Sequence, residues 1–250
     1  MDLGIGNRVA LVMGASAGIG RAVAAALALE GARVAIASRS RERIEAAAGA
    51  IEGAVPFVAD AADSERLARL PAEVAEAMGR PVEILVTNSG GPPAGGALDH
   101  GIDEWQAAYR SLVLAPRILA GGVIPSMRDR GWGRIVNVGS TTTIEPNPEL
   151  SLSNTHRAAA VAFFKTLARE IAADGITVNT VATGRFATDR MAELYGSLEQ
   201  VEERAREEVP ARRLGTPEEY GDLVAFICSE RAAYLTGTVI PLDGGLLRSI

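Results

Sequence analysis

Cysteine is almost missing from this chain: Cys228 stands alone among 250 residues. An internal disulfide and a metal site built from thiolates are both excluded, and no metal is expected. Lysine is as scarce, with Lys165 alone in an arginine-rich chain, and histidine is confined to His100 and His156. Aromatic residues make up only 4%. Positive charge is not in excess, because 25 Lys and Arg face 31 Asp and Glu for a net charge of −6. That balance argues against a general nucleic-acid or anionic-membrane surface, although it leaves room for a local basic pocket. No run approaches the ~20 apolar residues of a membrane span. Met1-Asp2-Leu3-Gly4 opens without a basic segment ahead of an apolar one. The expectation is a cytoplasmic protein with a small-molecule substrate and neither nucleic acid nor membrane as partner.

What is present is alternation. Hydrophobic residues at 48% and charged residues at 22% are ordinary for a globular α/β protein of this length. Short apolar runs at 9–13, 33–38, 54–59, 83–87, 134–138, 176–181 and 238–242 read as buried strands. Helical stretches separate them, among them 19–29, 41–52, 64 onward with Asp63 or Ser64 as its cap, 104–127 and 152–173. Strands joined through helices imply right-handed crossovers and a parallel sheet covered on both faces. No repeat, low-complexity tract or linker divides the chain, so residues 1–250 read as one doubly wound α/β domain.

The turn Gly14-Ala15-Ser16-Ala17-Gly18-Ile19-Gly20 lies between the first strand and an alanine-rich helix. Glycine there permits a sharp exit from the strand and close backbone approach. A helix N-terminus offers unpaired N–H groups and the positive end of a dipole, which suits a pyrophosphate. The spacing Gly-x-x-x-Gly-x-Gly departs from the usual Gly-x-Gly-x-x-Gly dinucleotide fingerprint. Two loops interrupt the regular pattern. The Gly- and Pro-rich 90–96 follows the fourth strand at the edge where open α/β sheets bind ligands. The second, 184–215, contains a charged helical piece at 198–208 and reads as a substrate lid, the plain alternative being a solvated surface helix.

Taken together, these motifs resemble the short-chain dehydrogenase/reductase family over nearly the whole chain. Gly14 to Gly20 resembles its cofactor turn, and Asp60-Ala61 the position of its acid near the adenine. Asn88-Ser89-Gly90 resembles the end of its Asn-Asn-Ala-Gly motif, with Thr87 in place of the first asparagine. Ile135 to Ser140 resembles the strand that ends in its catalytic serine. Asn179 to Thr188, including Gly184, resembles Asn-x-x-x-Pro-Gly-x-x-x-Thr, with Thr183 where proline is usual. Arg213-x-Gly215-x-Pro217-Glu218-Glu219 and Leu242-Asp243-Gly244-Gly245 resemble its C-terminal signatures. Among subfamilies the chain looks most like the bacterial 3-oxoacyl-carrier-protein reductases. The resemblance implies a single Rossmann-type sheet and a nicotinamide cofactor held by Gly14, Ser16, Ala17, Gly18, Ile19, Gly20, Ser38, Arg39, Asp60, Ala61, Asn88, Gly90, Arg157, Gly184 and Thr188. Arg39, supported by Arg41 or Arg43, can pair with a 2′-phosphate where an acid would bond a free hydroxyl, so NADP(H) is favoured over NAD(H). The family's assembly implies a homodimer or homotetramer, and the strongly apolar stretch 158–164 agrees with it.

The resemblance also implies a tyrosine thirteen positions after Ser140 and a lysine four further on, on one helix face. Those positions hold Ser153 and Arg157, and the downstream Leu167-Ala168-Arg169-Glu170 confirms the register. The asparagine implied on the preceding helix is replaced by Leu112 or nearby Ser111. Arg157 can still hold a ribose and supply positive charge, but it does not deprotonate. An alkyl hydroxyl at Ser153 is a far weaker and shorter acid than a phenol. The expected catalytic set is therefore Ser140, Ser153 and Arg157, with a proton donor other than tyrosine. His156, Tyr109 and Tyr195 are candidates, His156 being more readily a structural residue. The function so implied is an NAD(P)(H)-dependent oxidoreductase acting on a carbonyl or alcohol. The alternatives are a nucleotide-binding regulator or partner subunit without turnover, and a non-redox enzyme in the same cleft.

Overall fold

The computed structural model describes residues 1–249. Seven parallel strands form one sheet in the order β3-β2-β1-β4-β5-β6-β7. They are β1 (Val9–Met13), β2 (Arg33–Ser38), β3 (Val55–Val58), β4 (Ile84–Thr87), β5 (Gly133–Val138), β6 (Ile176–Thr183) and β7 (Val239–Leu242). The order reverses between β1 and β4, which opens a crevice at the carboxyl edge there.

The alternation within β1 shows how the layers form. Val9, Leu11 and Met13 face a core closed by α3 (Ser64–Met78), α5 (Ala115–Arg130) and α6 (Ser151–Ile171), through Leu67, Leu70, Leu119, Val123 and Phe164. Ala10 and Val12 face the opposite core under α1 (Gly18–Leu29), α2 (Arg41–Gly49) and α9 (Pro217–Ile227), where Val23, Leu27, Ile44, Tyr220 and Val224 are buried. Both faces of the strand are dry, which is why it reads as a continuous apolar run.

The helical stretch expected at 104–127 starts two residues earlier and is broken. It divides into α4 (Ile102–Tyr109), a π-helical segment Arg110–Leu114, and α5. Ile102–Arg130 as a whole has 29 residues, and an 18-residue window within it reaches mean hydropathy 1.2, enough by length and composition to cross a membrane. Its residues Leu119, Ala120, Val123 and Met127 instead lie in the core against the sheet, the setting of a core helix. The second expected helix ends at Gly49 rather than residue 52, and β6 runs on to Thr183 because its last residues pair with Ile240 to Leu242. The 184–215 segment carries two helices, α7 (Asp189–Tyr195) and α8 (Leu198–Glu208), over a small apolar cluster of Val201, Ala205, Val209 and Leu214.

At the amino edge of the sheet, Glu83 is fully buried and receives Arg8 Nη1 at 2.6 Å, with Arg80 at 3.5 Å. Trp132 stacks between Arg8 and Arg134, whose guanidinium carbons lie 3.9 and 4.3 Å from the ring centroid. Removing the carboxylate leaves Arg8, half-dry, with only its longer 3.7 Å pairing to Glu230 among the described residues. Glu83→Ala is expected to lower stability by roughly 2–4 kcal/mol, read as a shift in the urea unfolding midpoint.

Candidate active site

Gly14 leaves β1 at φ +60°, and a methyl group there would lie 2.8 Å from Asn88 Nδ2. Asn88 instead donates Nδ2 to the Gly14 carbonyl at 3.3 Å, tying the end of β4 to the turn. A methyl at Gly20 would run into that same carbonyl oxygen. These two positions must be glycine for the turn to close. Ala17 is the extended N-cap of α1 and supplies no side-chain cap, and the first turn carries no acid. Ser16, Gly18 and Ile19 are half-buried around this helix start, so its N–H groups are available to an anion.

At the end of β2, Ser38 is buried and its hydroxyl turns back to the Ser40 carbonyl at 3.4 Å. Arg39 is exposed and makes no ion pair among the described residues, whereas Arg41 pairs with Glu45 at 3.2 Å. Arg39 and Asp60 line one cleft of about 540 Å³. Asp60 uses Oδ1 to hold the Ala62 N–H at 2.9 Å, beside the half-buried Ala61.

The ends of β4, β5 and β6 are joined by a buried polar ladder. Thr87 Oγ1 donates to Asn137 Oδ1 at 3.0 Å, and Asn137 Nδ2 to Thr180 Oγ1 at 3.4 Å. The three residues are register partners across the strands, so their side chains project from the same sheet face. Thr87 therefore acts as a strand-to-strand clamp, and the exposed Gly90 opens the loop beyond it.

Ser140 caps the short turn Thr141–Thr143. Its Oγ accepts from Thr142 N at 3.2 Å and from Thr142 Oγ1 at 3.0 Å. Both lone pairs are occupied, which leaves the Ser140 O–H as a donor. The threonines thus orient the serine as well as the turn.

On α6, Ser153 is buried and makes no side-chain hydrogen bond among the described residues. Arg157 is directed to the end of β5, where Nη1 donates to Val138 O at 2.7 Å and Gly139 O at 3.5 Å. Burial pushes its guanidinium down to about 10, with the Tyr220 phenol opposing and Arg190 adding to that effect. It remains charged at neutral pH. A cavity of about 20 Å³, room for a single water, is lined by Arg157, Thr87, Asn88, Ser111 and Asn137. Ser111 lies in the π segment, its hydroxyl bonded back to Ala107 O at 3.0 Å, and Leu112 is buried.

His156 lies between α4 and α6 rather than at the cleft. Its Nδ1 lies 2.7 Å from Leu152 O and its ring centroid 5.2 Å from that of Trp105. Tyr109 stands 45% exposed on α4, and Tyr195, at the end of α7, is stacked against Arg185 and Arg204. The sole lysine, Lys165, lies two turns beyond Arg157 and holds Gly237 O at 2.6 Å.

Three contacts around the site, those of Tyr220, Arg190 and Glu145, carried no signal in the sequence, whereas Gly184 and Thr188 were read from their motif. Tyr220 on α9 is fully buried with its hydroxyl 3.1 Å from Thr183 Oγ1. Arg190 Nη2 reaches Pro92 O at 2.5 Å and joins α7 to the Gly-Pro loop. Gly184 rests against Asp243, and the Thr188 methyl faces Gly18 of the turn. Glu145, just past Thr143, holds the Arg248 and Ser249 N–H groups at 2.8 and 2.7 Å. All three are pairings of distant segments with no shared local pattern.

The Ser249 and Arg248 amides hold the Glu145 carboxyl below its ordinary value. A lowered carboxylate pKa means that the tail contact is complete above the unfolded-state value and is lost as pH falls through the folded one. Amide exchange at Arg248 and Ser249 is expected to be protected at neutral pH and to accelerate as pH drops below the usual carboxylate range. Glu145→Ala should show the fast exchange at every pH.

The family model described as Enoyl-(Acyl carrier protein) reductase matches residues 14–247. Dehydrogenase/reductase SDR family member 4 of Pongo abelii is 35% identical, over 96% of this chain and 88% of that protein. The 3-oxoacyl-[acyl-carrier-protein] reductase FabG of Aquifex aeolicus is 32% identical, over 98% and 100%. The crystal structure of L-sorbose reductase from Gluconobacter frateurii, complexed with NADPH and L-sorbose, superposes with a TM-score of 0.94. That match has 32% identity and covers 100% of both chains. With a family model matched over residues 14–247 and relatives above 30% identical over nearly the whole chain, the chain belongs to the short-chain dehydrogenase/reductase family.

Proposed function

We propose that this chain is an NADP(H)-dependent oxidoreductase that interconverts a carbonyl and an alcohol. The observation that carries the reading is the pairing of Ser140, with only its O–H left to donate, and the cation Arg157 at the end of the same strand. The cofactor's fit is supported by a glycine cradle that a methyl group would fill and by the uncapped start of α1. Gly14 to Gly20 would hold the pyrophosphate, and the unpaired Arg39 favours a 2′-phosphate over a free hydroxyl. When bound, NADPH supplies hydride to the carbonyl carbon.

The chain's own residues deal with the oxygen. Ser140 donates to it and Arg157 stabilises the negative charge that grows there. Arg157 is also placed to hold the ribose. The alkoxide then needs one proton. Ser153 is too weak an acid to supply it, and His156 has its Nδ1 engaged with its own helix. A water in the small cavity beside Arg157 and Ser111 is the donor that this reading favours.

A second reading follows from Ser153: a member that binds nucleotide without turnover, as a regulator or partner subunit. Exposed Leu98, Ile102 and Tyr109, together with Ala158, Ala159 and Ala162 on the adjoining α6, favour a homodimer or homotetramer, checked by hydrodynamic size.

NADPH oxidation over a panel of ketones and 3-oxoacyl thioesters decides between the readings. Turnover is expected, with Ser140→Ala lowering kcat on the order of 10²-fold. Binding of NADPH without turnover at high enzyme concentration would sink the redox reading. In that case, activity that appears only in the Ser153→Tyr, Arg157→Lys double variant would locate the loss at those two positions.

A further inference from the structure

We propose that Tyr220 is a positioning residue, and that its hydrogen bond with Thr183 sets the segment covering the glycine turn. The direction of its effect on cofactor rests on the NADP(H) reading; its effect on the segment does not.

Tyr220 grips residues 181–186 in two ways. Thr183 Oγ1 donates to Tyr220 Oη at 3.1 Å, and Oη in turn faces Val181 O at 3.5 Å. The Phe186 ring meets the Tyr220 ring edge-on, centroids 5.3 Å apart at 79°. Beyond Phe186 the segment is fastened to Gly215, through Ala187 N to Gly215 O at 2.9 Å and Gly215 N to Arg185 O at 2.9 Å. It then delivers the Thr188 methyl to Gly18.

The other side of Tyr220 is as firmly placed. It follows Glu219, which closes the N-terminus of α9 by bonding Thr216 N at 2.8 Å while Arg213 holds both its carboxylate oxygens. The next residue, Gly221, lets α9 lie directly on α1: a methyl there would be 2.7 Å from Ala22 O. One helix therefore sets α1, whose start is the candidate pyrophosphate site, and the segment that crosses it. Tyr220 is the side chain joining the two.

A phenol is not needed for packing alone. A buried hydroxyl costs stability unless it is bonded, and phenylalanine would fill the same volume without that cost. The hydroxyl is explained by Thr183, which stands where the resembled family carries proline. A proline holds the backbone by its ring; here a side-chain bond from α9 does so. The Val181 carbonyl beneath Oη also accepts Gly139 N at 2.8 Å, and Gly139 O lies 3.5 Å from Arg157 Nη1. The same contact thus abuts the strand end on which Arg157 rests.

The test compares full-length wild type with Tyr220→Phe, Thr183→Val and the Tyr220→Phe, Thr183→Pro double variant. Gly184 N, not Thr183 N, bonds Leu242 O, so proline at 183 removes no bond to β7. Readouts are the NADPH dissociation constant by direct titration and amide exchange of 184–188 in the unliganded protein. Tyr220→Phe and Thr183→Val are each expected to weaken NADPH binding about five- to tenfold and to speed that exchange. The double variant should recover both. Wild-type binding and exchange in Tyr220→Phe, or a double variant no better than Tyr220→Phe, would overturn the proposal. If Tyr220→Phe does not fold, Thr183→Val decides with the ring intact. If wild type does not bind NADPH, the cofactor reading fails, and the exchange comparison alone supports or overturns the positioning role.

Discussion

The carboxyl edge of the sheet depends on one constraint: parallel strands must end together while their last polar groups find partners away from water. At the ends of β4, β5 and β6 this is met by Thr87, Asn137 and Thr180, each bonded to the next across the register. Asn88 extends the clamp sideways to the Gly14 carbonyl. Once those strand ends are fixed, the glycine turn, the Ser140 cap and the carbonyls that receive Arg157 all have defined positions. The buried polar groups specify the edge because an unpaired member would cost more than its bond contributes.

Arg157 is the element most altered by this setting. It is a half-buried cation with no acidic partner among the described residues, bonded to backbone carbonyls at the end of β5. Desolvation lowers its pKa without bringing it near neutrality, so it serves as a fixed charge and never as a base. Ser140 complements it with a hydroxyl whose accepting capacity is already used. In the function proposed above they form an oxygen-binding pair whose proton arrives from elsewhere.

Much of this was legible in the chain. The apolar run 9–13 and the helix at 198–208 are observed with those bounds. The strand near 176 and the helix near 104 were read too, with their ends displaced. Thr183 extends β6 because β7 pairs with it, which no local pattern records. The π segment at Arg110–Leu114 was not legible, since hydrophobic periodicity is blind to one widened turn. Ser153 and Arg157 were read by counting from Ser140 against the resembled family's pattern. Where His156 would go was left open until Trp105 and the Leu152 carbonyl claimed its two faces.

The sequence by itself determined the sheet and the cradle and, counted against the resembled family, placed Ser153 and Arg157 where a tyrosine and a lysine are expected. Each of these is written in neighbouring residues: strand burial in short apolar runs, the turn in glycine spacing, those two positions in a count from Ser140. Only the tertiary structure decided what Thr183, Glu145 and Pro92 are for. Their partners Tyr220, Arg248 and Arg190 lie 37, 103 and 98 residues away. A hydrogen bond depends on where two groups meet in space, and a side chain that looks inert in its own segment acquires a role when the fold brings a distant donor to it.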